Sequence, residues 1–349
     1  MANIIDVAKR AGVSISTVSN VINGTKYVGD DLTIKVKRAI EELGYQANEV
    51  AASMKRRTTN NIGVILPNIG MVFFPDVLKG IEDATKEKGY RLFYFSTDYD
   101  FDKEKEYLGL LKTSWVDGII LDSCCPTEQI PEYQKALVGN VSDKFVPVVT
   151  LEAPFTDKEL GTITLNETDF TEKAIDYLIS LGHREIGLML GPEHIPMHEN
   201  NIEGYERAFS KNGLKTSEEN IMHGTYFAES GYEAVKEALA KGKKWTAIFS
   251  ANDQMAIGAI KAIKEAGLSI PEDISIIGVD GIYVTTLIEP ALTTVELPRY
   301  EMGYRAGQMI LEMIGKPRCE GKHVSMDGKL IIRKSTNPAA EENWVLTGW

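Results

Sequence analysis

Carboxylates, amides and aromatic rings recur in this chain at one kind of position, the end of a short apolar run. Phe73 and Phe74 follow the run Ile62–Pro67, Asp122 and Cys124 close the run Gly118–Asp122, and Glu152 follows Val146–Leu151. Asn252 follows Ala247–Ser250, Asp280 follows Ile274–Val279, and Tyr226 precedes Ser230-Gly231-Tyr232. Acceptors, amides and ring faces of this kind hold a small polar molecule; they do not by themselves break bonds. The motifs of catalysis are missing. There is no G-x-G-x-x-G after a strand, no G-x-x-x-x-G-K-[ST] and no G-x-S-x-G. His198-Glu199 has no second histidine a turn away. The acidic run Asp98–Asp102 is not a calcium loop either, because its sixth position is Lys103 and its twelfth is Gly109. No cofactor, no metal and no enzymatic activity are expected.

A second kind of chemistry lies in the first residues, where short polar side chains sit at helical spacing. Asn3 can cap a helix, with Asp6 reaching back to it as in a capping box. Gly12 ends that helix, where a residue of positive φ suits. Ser14 can cap a second helix whose inner stripe is Val18, Val21 and Ile22, leaving Ile15, Ser16, Ser19 and Asn20 on the outside or the rim. A third amphipathic helix, Asp30 to Leu43, ends at Gly44 and supplies Leu32, Val36, Ala39, Ile40 and Leu43 to a three-helix core. The segment Asn48–Lys55 has room for about two helical turns, too short to be stable alone in water.

The elements that must position these residues follow from the pattern of the rest. A chain of 349 residues is too long for one ordinary core. Residues 1–60 carry nine Lys/Arg and six Asp/Glu, a net +3, which leaves −15 of the total −12 on the remainder. A mildly basic head on an acidic body suits a protein that presents one end to a polyanion. From Asn61 onward apolar runs, including Arg91–Ser96, Thr162–Leu165 and Ile186–Leu190, alternate with helical stretches, which predicts parallel sheets covered on both faces. The fold class is therefore α/β, with a small all-α head. Open sheets of this kind bind ligands at the carboxyl ends of their strands, and two facing units would surround one cleft. Cys124, Cys125 and Cys319 show no C-x-x-C spacing, no apolar run reaches membrane-spanning length, and no signal segment opens the chain. A reduced, cytoplasmic setting without a membrane partner is expected.

The run D-V-A-x-x-A-G-V-S-x-x-T-V-S-x-V-x-N, read here from Asp6 to Asn23, resembles the opening of the LacI/GalR family of bacterial transcriptional regulators, and the likeness continues to about residue 336. The resemblance implies a helix-turn-helix head (1–46), a hinge helix and linker (47–60), a periplasmic-binding-protein-like core of two doubly wound subdomains (61–340) and a tail (341–349). By that analogy the N-subdomain takes about 61–161 and 297–322, and the C-subdomain about 162–294 and 325–340. In that family the second helix lies in the major groove of double-stranded operator DNA, so Ile15, Ser16 and Asn20 would read base edges. Asn3, Ser14, Thr17, Ser19 and Asn23 are then candidate phosphate contacts, and Met54 stands where the family wedges an apolar side chain into the minor groove. Ala47 and Ala52 replace the usual Pro and Arg of the hinge. The missing leucine heptads in the tail imply a homodimer, whose two-fold axis a near-palindromic operator would mirror.

For the effector, the resemblance selects Phe73, Phe74, Asp122, Cys124, Glu152, Tyr226, Asn252 and Asp280 among the strand-end residues. It adds Asn201, which stands where many relatives place an Arg three residues before Gly204-Tyr205. Without that cation, a neutral polyhydroxy ligand or one carrying an amine fits better than a phosphate or carboxylate. The resemblance thus implies a repressor of carbohydrate-use genes controlled by a sugar-like effector. The alternative is control by a phosphorylated carrier protein docking near Glu301–Gly315, where Arg305 is the available charge.

Overall fold

The computed structural model describes residues 2–24, 26–45, 58–113, 115–139, 145–153, 155–193, 197–316, 318, 320–337 and 339–340. The chain forms two compact units, Met1–Thr59 and Asn60–Trp349. Hinge residues 47–57, with Ala47, Ala52 and Met54, and the tail 341–349 lie outside the described residues.

The first unit is built from α1 (Ile4–Ala11), α2 (Ile15–Asn23) and α3 (Asp30–Leu43). Asn3 accepts hydrogen bonds from the amides of Ile5 (2.8 Å) and Asp6 (3.2 Å), and its own amide donates to Asp6 Oδ2 at 2.9 Å, closing the capping box. Gly12 takes φ 68°, the left-handed conformation that lets the chain turn directly into α2. Val7, Ala8, Val18, Val36 and Ala39 form the core, with Val21, Ile22, Ile40 and Leu43 packed against it. Leu32 departs from expectation: it is 40% exposed. It stands in the first turn of α3, beyond the reach of the two short helices. Glu42 ties α3 to α1 by accepting from Arg10 (2.5 Å) and Arg38 (2.9 Å).

The second unit holds two six-stranded sheets. The first contains β1 (Asn61–Leu66), β2 (Arg91–Ser96), β3 (Gly118–Asp122), β4 (Val148–Leu151), β5 (Gly161–Leu165) and β11 (His323–Met326), in the order β2-β1-β3-β4-β5-β11, all parallel. The second contains β6 (Ile186–Leu190), β7 (Ile221–His223), β8 (Ala247–Ser250), β9 (Ser275–Asp280), β10 (Thr293–Glu296) and β12 (Lys329–Ile331). Its order is β7-β6-β8-β9-β10-β12, and only β12 runs antiparallel. Both orders reverse direction beside their first strand. Crevices at strand carboxyl ends open at such a reversal.

The intervening helices are α4 (Phe74–Thr85), α5 (Phe101–Lys112), α6 (Ile130–Val138), α7 (Glu167–Ser180), α8 (Met197–Lys211), α9 (Ala228–Ala240), α10 (Asp253–Glu265) and α11 (Arg299–Met313). Two helix pairs meet through glycine. A Cβ on Gly80 of α4 would stand 2.1 Å from the Tyr300 carbonyl oxygen, and one on Gly303 of α11 would stand 1.9 Å from that of Val77. Gly231 of α9 and Gly258 of α10 repeat the device in the second subdomain, at 2.2 and 1.8 Å from the carbonyls of Met255 and Ala228.

The chain passes between the sheets three times: after Leu165, after Glu296 and between Met326 and Lys329. The first and third passages fall later than the boundaries expected at 161/162 and 322/325. The whole of β5 stays in the first sheet because it is the bridge between β4 and β11, pairing Val149 with Gly161 on one side and His323 with Thr162 on the other.

Candidate functional site

On the head, α2 presents its N-terminal end outward. Ile15 is 47% exposed, Ser16 is exposed, and Asn20 lies half-buried one turn on. The Ser14 hydroxyl accepts from the Thr17 amide (3.1 Å) and meets the hydroxyls of Ser16 (2.7 Å) and Thr17 (2.9 Å). Asn23 Nδ2 donates to the Ser19 carbonyl at 2.8 Å. These bonds fix the short polar side chains of one helical rim. The exposed N-terminal end of a helix also offers backbone N–H groups and a positive dipole to a phosphate.

In the second unit a cavity of about 660 Å³, counting its mouth, opens between the two sheets at the carboxyl ends of their strands. Eight of the nine residues chosen from sequence line it: Phe73, Phe74, Asp122, Glu152, Asn201, Tyr226, Asn252 and Asp280. Cys124 does not. Its thiol turns away to Glu104 Oε2 (3.0 Å), because the loop after β3 folds back over that buried carboxyl, which also accepts from the Cys124 amide (2.7 Å) and Ser123 Oγ (2.6 Å). Phe73 and Phe74 meet edge to face with centroids 5.2 Å apart, so they belong to the core and the cavity wall together.

Asn252 has a different role from a free ligand-binding amide. Its Oδ1 accepts from the Met255 amide at 2.9 Å, capping α10, and its Nδ2 donates to the Tyr226 carbonyl at 2.8 Å. Asp253, the first residue of α10, is buried, accepting from Thr294 Oγ1 (2.6 Å) and the Ile282 amide (2.9 Å). Asn201 Oδ1 accepts from Thr171 Oγ1 at 2.9 Å.

The backbone of the cavity is strained. Tyr99 (φ 60°), Glu152 (54°), Tyr226 (66°) and Asp280 (113°) are four of the six non-glycine residues with positive φ among the described residues, and all four line the cavity. Such conformations cost about 1–3 kcal/mol each and gather at functional sites.

The electrostatics are one-sided. Asp122, Glu152, Glu167 and Asp280 all line the cavity, and its described lining includes no Lys, Arg or His. Burial pushes the Asp122 carboxyl well above its ordinary range, and the neighbouring charges of Glu152, Glu104 and Glu167 add to this. Burial raises Glu152 to about 7. It also raises Glu167, with Glu152 reinforcing and the Asn200 hydrogen bond opposing. Asp280 is raised by burial and by Asp253, against the pull of Arg299. His198, in the first turn of α8 beside the cavity residue Tyr226, is 4% exposed. Burial and the neighbouring His223 bring it down to about 4, which leaves a neutral ring whose Nε2 lies 3.5 Å from Tyr226 OH.

Comparison with known proteins decides what carries these two sites. A model of bacterial regulatory proteins of the lacI family matches residues 3–48, and one of a periplasmic binding protein-like domain matches 175–336. The HTH-type transcriptional repressor PurR of Pasteurella multocida is 36% identical over 96% of this chain and 98% of its own. The regulator RegA of Clostridium saccharobutylicum is 34% identical over 95% and 98%. The chain belongs to the LacI family. A lac repressor dimer bound to operator and the anti-inducer ONPF superposes with a TM-score of 0.83 at 27% identity, covering 96% of this chain and 99% of that one.

As a LacI-family member the protein is a DNA-binding transcriptional repressor with a ligand-binding core, not an enzyme. Its cavity also contains residues that sequence reasoning passed over. Tyr99 follows β2 and Glu167 follows β5, so the strand-end rule that found the others applied to both. Tyr99 was hidden in the acidic run Asp98–Asp102. Glu167 was hidden in the first turn of a helix, where a carboxylate is ordinary. Met71, Phe170 and Leu297 line the cavity from positions that periodicity marks only as core. Among the described residues no group of His, Cys, Asp and Glu could hold a metal ion, and no helix is long and apolar enough to cross a membrane.

Proposed function

We propose that this LacI-family repressor binds a near-palindromic operator as a homodimer in the cytoplasm, and that a sugar or sugar derivative in the inter-sheet cavity switches that binding. The supporting observation is convergence: eight residues from distant parts of the sequence line one strained cavity between two sheets joined by three chain passages. Residues 1–46 form the reader, 47–60 the hinge and 61–340 the receptor and dimerisation core, with 341–349 as a tail. Ile15, Ser16 and Asn20 read base edges, while Asn3, Ser14, Thr17, Ser19 and Asn23 hold phosphates. Met54 wedges into the central step. The ligand changes the angle between subdomains and so the spacing of the paired hinges. It shifts the equilibrium only by its differential affinity for the two states. The operator-bound lac repressor dimer supports both the DNA and the two-fold arrangement.

The effector side is tested by thermal shift against neutral sugars, polyols, amino sugars, sugar acids and sugar phosphates, since selective binders stabilise the native state. Each binder is then added to an operator gel shift. A sugar that binds and changes operator affinity supports the reading; operator affinity indifferent to every binder overturns it. The DNA side is tested with Asn20→Ala, which is expected to lose about 1–3 kcal/mol of discrimination at a single operator position. Docking of a phosphorylated carrier protein finds less support, because Arg305 on α11 already pairs with Glu301 at 2.7 Å.

A further inference from the structure

We infer that the effector is an organic cation, whose ammonium group is held among the carboxylates of Asp122, Glu152, Glu167 and Asp280 and whose body lies against the rings of Phe73, Phe74, Tyr99 and Tyr226. The inference rests on the cavity being the effector site and narrows the class of ligand from sugar derivatives at large to those, or other metabolites, that carry an amine.

Four observations carry it. The carboxylates come from both subdomains, Asp122 and Glu152 from the first and Glu167 and Asp280 from the second, so one charge can tie the two together. Asp122 is 5% exposed, and neither its carboxyl nor that of Glu152 meets a hydrogen-bond donor among the described residues, although both face the cavity. A buried carboxylate needs such a donor or a counter-charge. The nearest guanidinium, Arg299, is already committed: it pairs with Asp76 at 2.9 Å and donates to the Asp280 backbone carbonyl. Finally, Tyr99 and Tyr226, one from each subdomain, stack with centroids 5.9 Å apart, and with Phe73 and Phe74 they line the cavity with aromatic rings, a setting that attracts cations.

Proton linkage follows. Other groups bear on the four carboxyls: Glu104 behind Asp122, Asp253 beside Asp280, Arg299 with its partner Asp76, neutral His198 and the two neutral tyrosines. Apart from Arg299 none supplies positive charge. Burial therefore keeps protons on the carboxyls in the empty cavity, and an arriving ammonium group displaces them into solvent. Cation affinity should rise with pH.

The test uses the full-length protein with putrescine, spermidine and glucamine (1-amino-1-deoxysorbitol), all protonated at both pH values, as cationic probes, and 1,4-butanediol, sorbitol and a sugar acid as their uncharged and anionic counterparts. Melting temperatures and calorimetric affinities are measured at pH 6 and pH 8. The expected result is stabilisation by at least one amine and not by its uncharged counterpart. That amine should bind more tightly at pH 8, with net proton release between buffers of different ionisation enthalpy. Asp122→Asn is expected to weaken it at least tenfold. Should that variant misfold, Glu152→Gln serves the same purpose, with operator binding as the check on the head. Equal binding of amine and counterpart, binding of the sugar acid instead, or no binding by any amine overturns the inference. The operator gel shift separates the two failures: a neutral sugar that binds and alters operator affinity removes the cation but leaves the receptor, whereas operator affinity indifferent to every binder removes the receptor itself.

Discussion

Asn252 shows how one side chain serves the cleft without offering a free group to the ligand. It caps α10 and holds the Tyr226 carbonyl, so it fixes the strained turn that aims the tyrosine ring. Asn252→Ala removes a cap and leaves a buried carbonyl without its partner. The expected loss is about 2 kcal/mol, read from urea unfolding, and Asn252→Asp, which keeps the cap acceptor, should recover part of it. Cys124 and Cys125 make the opposite point. Both are buried; burial and the adjacent Glu104 raise Cys125 to about 12 and Cys124 higher still. Because the thiolate is the reactive form, neither should react with iodoacetamide at pH 8 until the protein unfolds. Mass spectrometry of the native protein should find neither Cys124 nor Cys125 labelled. At this scale the strand-end carboxylates were legible because a residue's place after an apolar run is written in the sequence. The engagement of Asn252 and the turning away of Cys124 were not, since both depend on partners distant in the chain.

The elements were legible in proportion to how apolar and how long they are. Arg91–Ser96, Gly118–Asp122, Ile186–Leu190 and Ala247–Ser250 match their expected bounds, and the central strands among them are buried along their whole length. The strands Ile221–His223, Thr293–Glu296, His323–Met326 and Lys329–Ile331 were not anticipated. Three of these are short strands at sheet edges, where half-exposed polar residues leave no apolar run to read. The strand Thr293–Glu296 is central but opens with two threonines, whose hydroxyls find their partners across the fold in Asp253, Gly281, Arg333 and Thr336. The glycine contacts give a test at this scale. Gly303→Ala would gain helix propensity of about 1 kcal/mol. The added methyl meets backbone, which no rotamer change can move aside, so net destabilisation of about 1–3 kcal/mol is expected. A lower urea midpoint with unchanged m-value would confirm it.

For the whole molecule the buried carboxyls set a pH dependence opposite to that of most proteins. Glu152 and Asp253 lose their protons near pH 4 when unfolded and near about 7 when folded. Between those values the folded state binds more protons, so stability falls as pH rises through this window. Exposed, ion-paired carboxylates such as Asp83, held down at about 2 by Lys86 and Lys79, have their effect only at much lower pH. The ligand-free protein should therefore melt at a higher temperature at pH 5.5 than at pH 8, and a scan showing the reverse would mean these groups are ionised and compensated.

The three passages of the chain between the two sheets also govern how the protein is made. The head has a core of its own and is complete once its first 45 or so residues have left the ribosome. The first sheet cannot be finished then, or even when β5 emerges, because α11 and β11 are encoded more than a hundred residues later, and the second sheet waits longer still for β12. During synthesis the DNA reader is thus ready well before the receptor that governs it. A messenger cut short anywhere between residues 60 and 323 would encode a folded head without a working sensor.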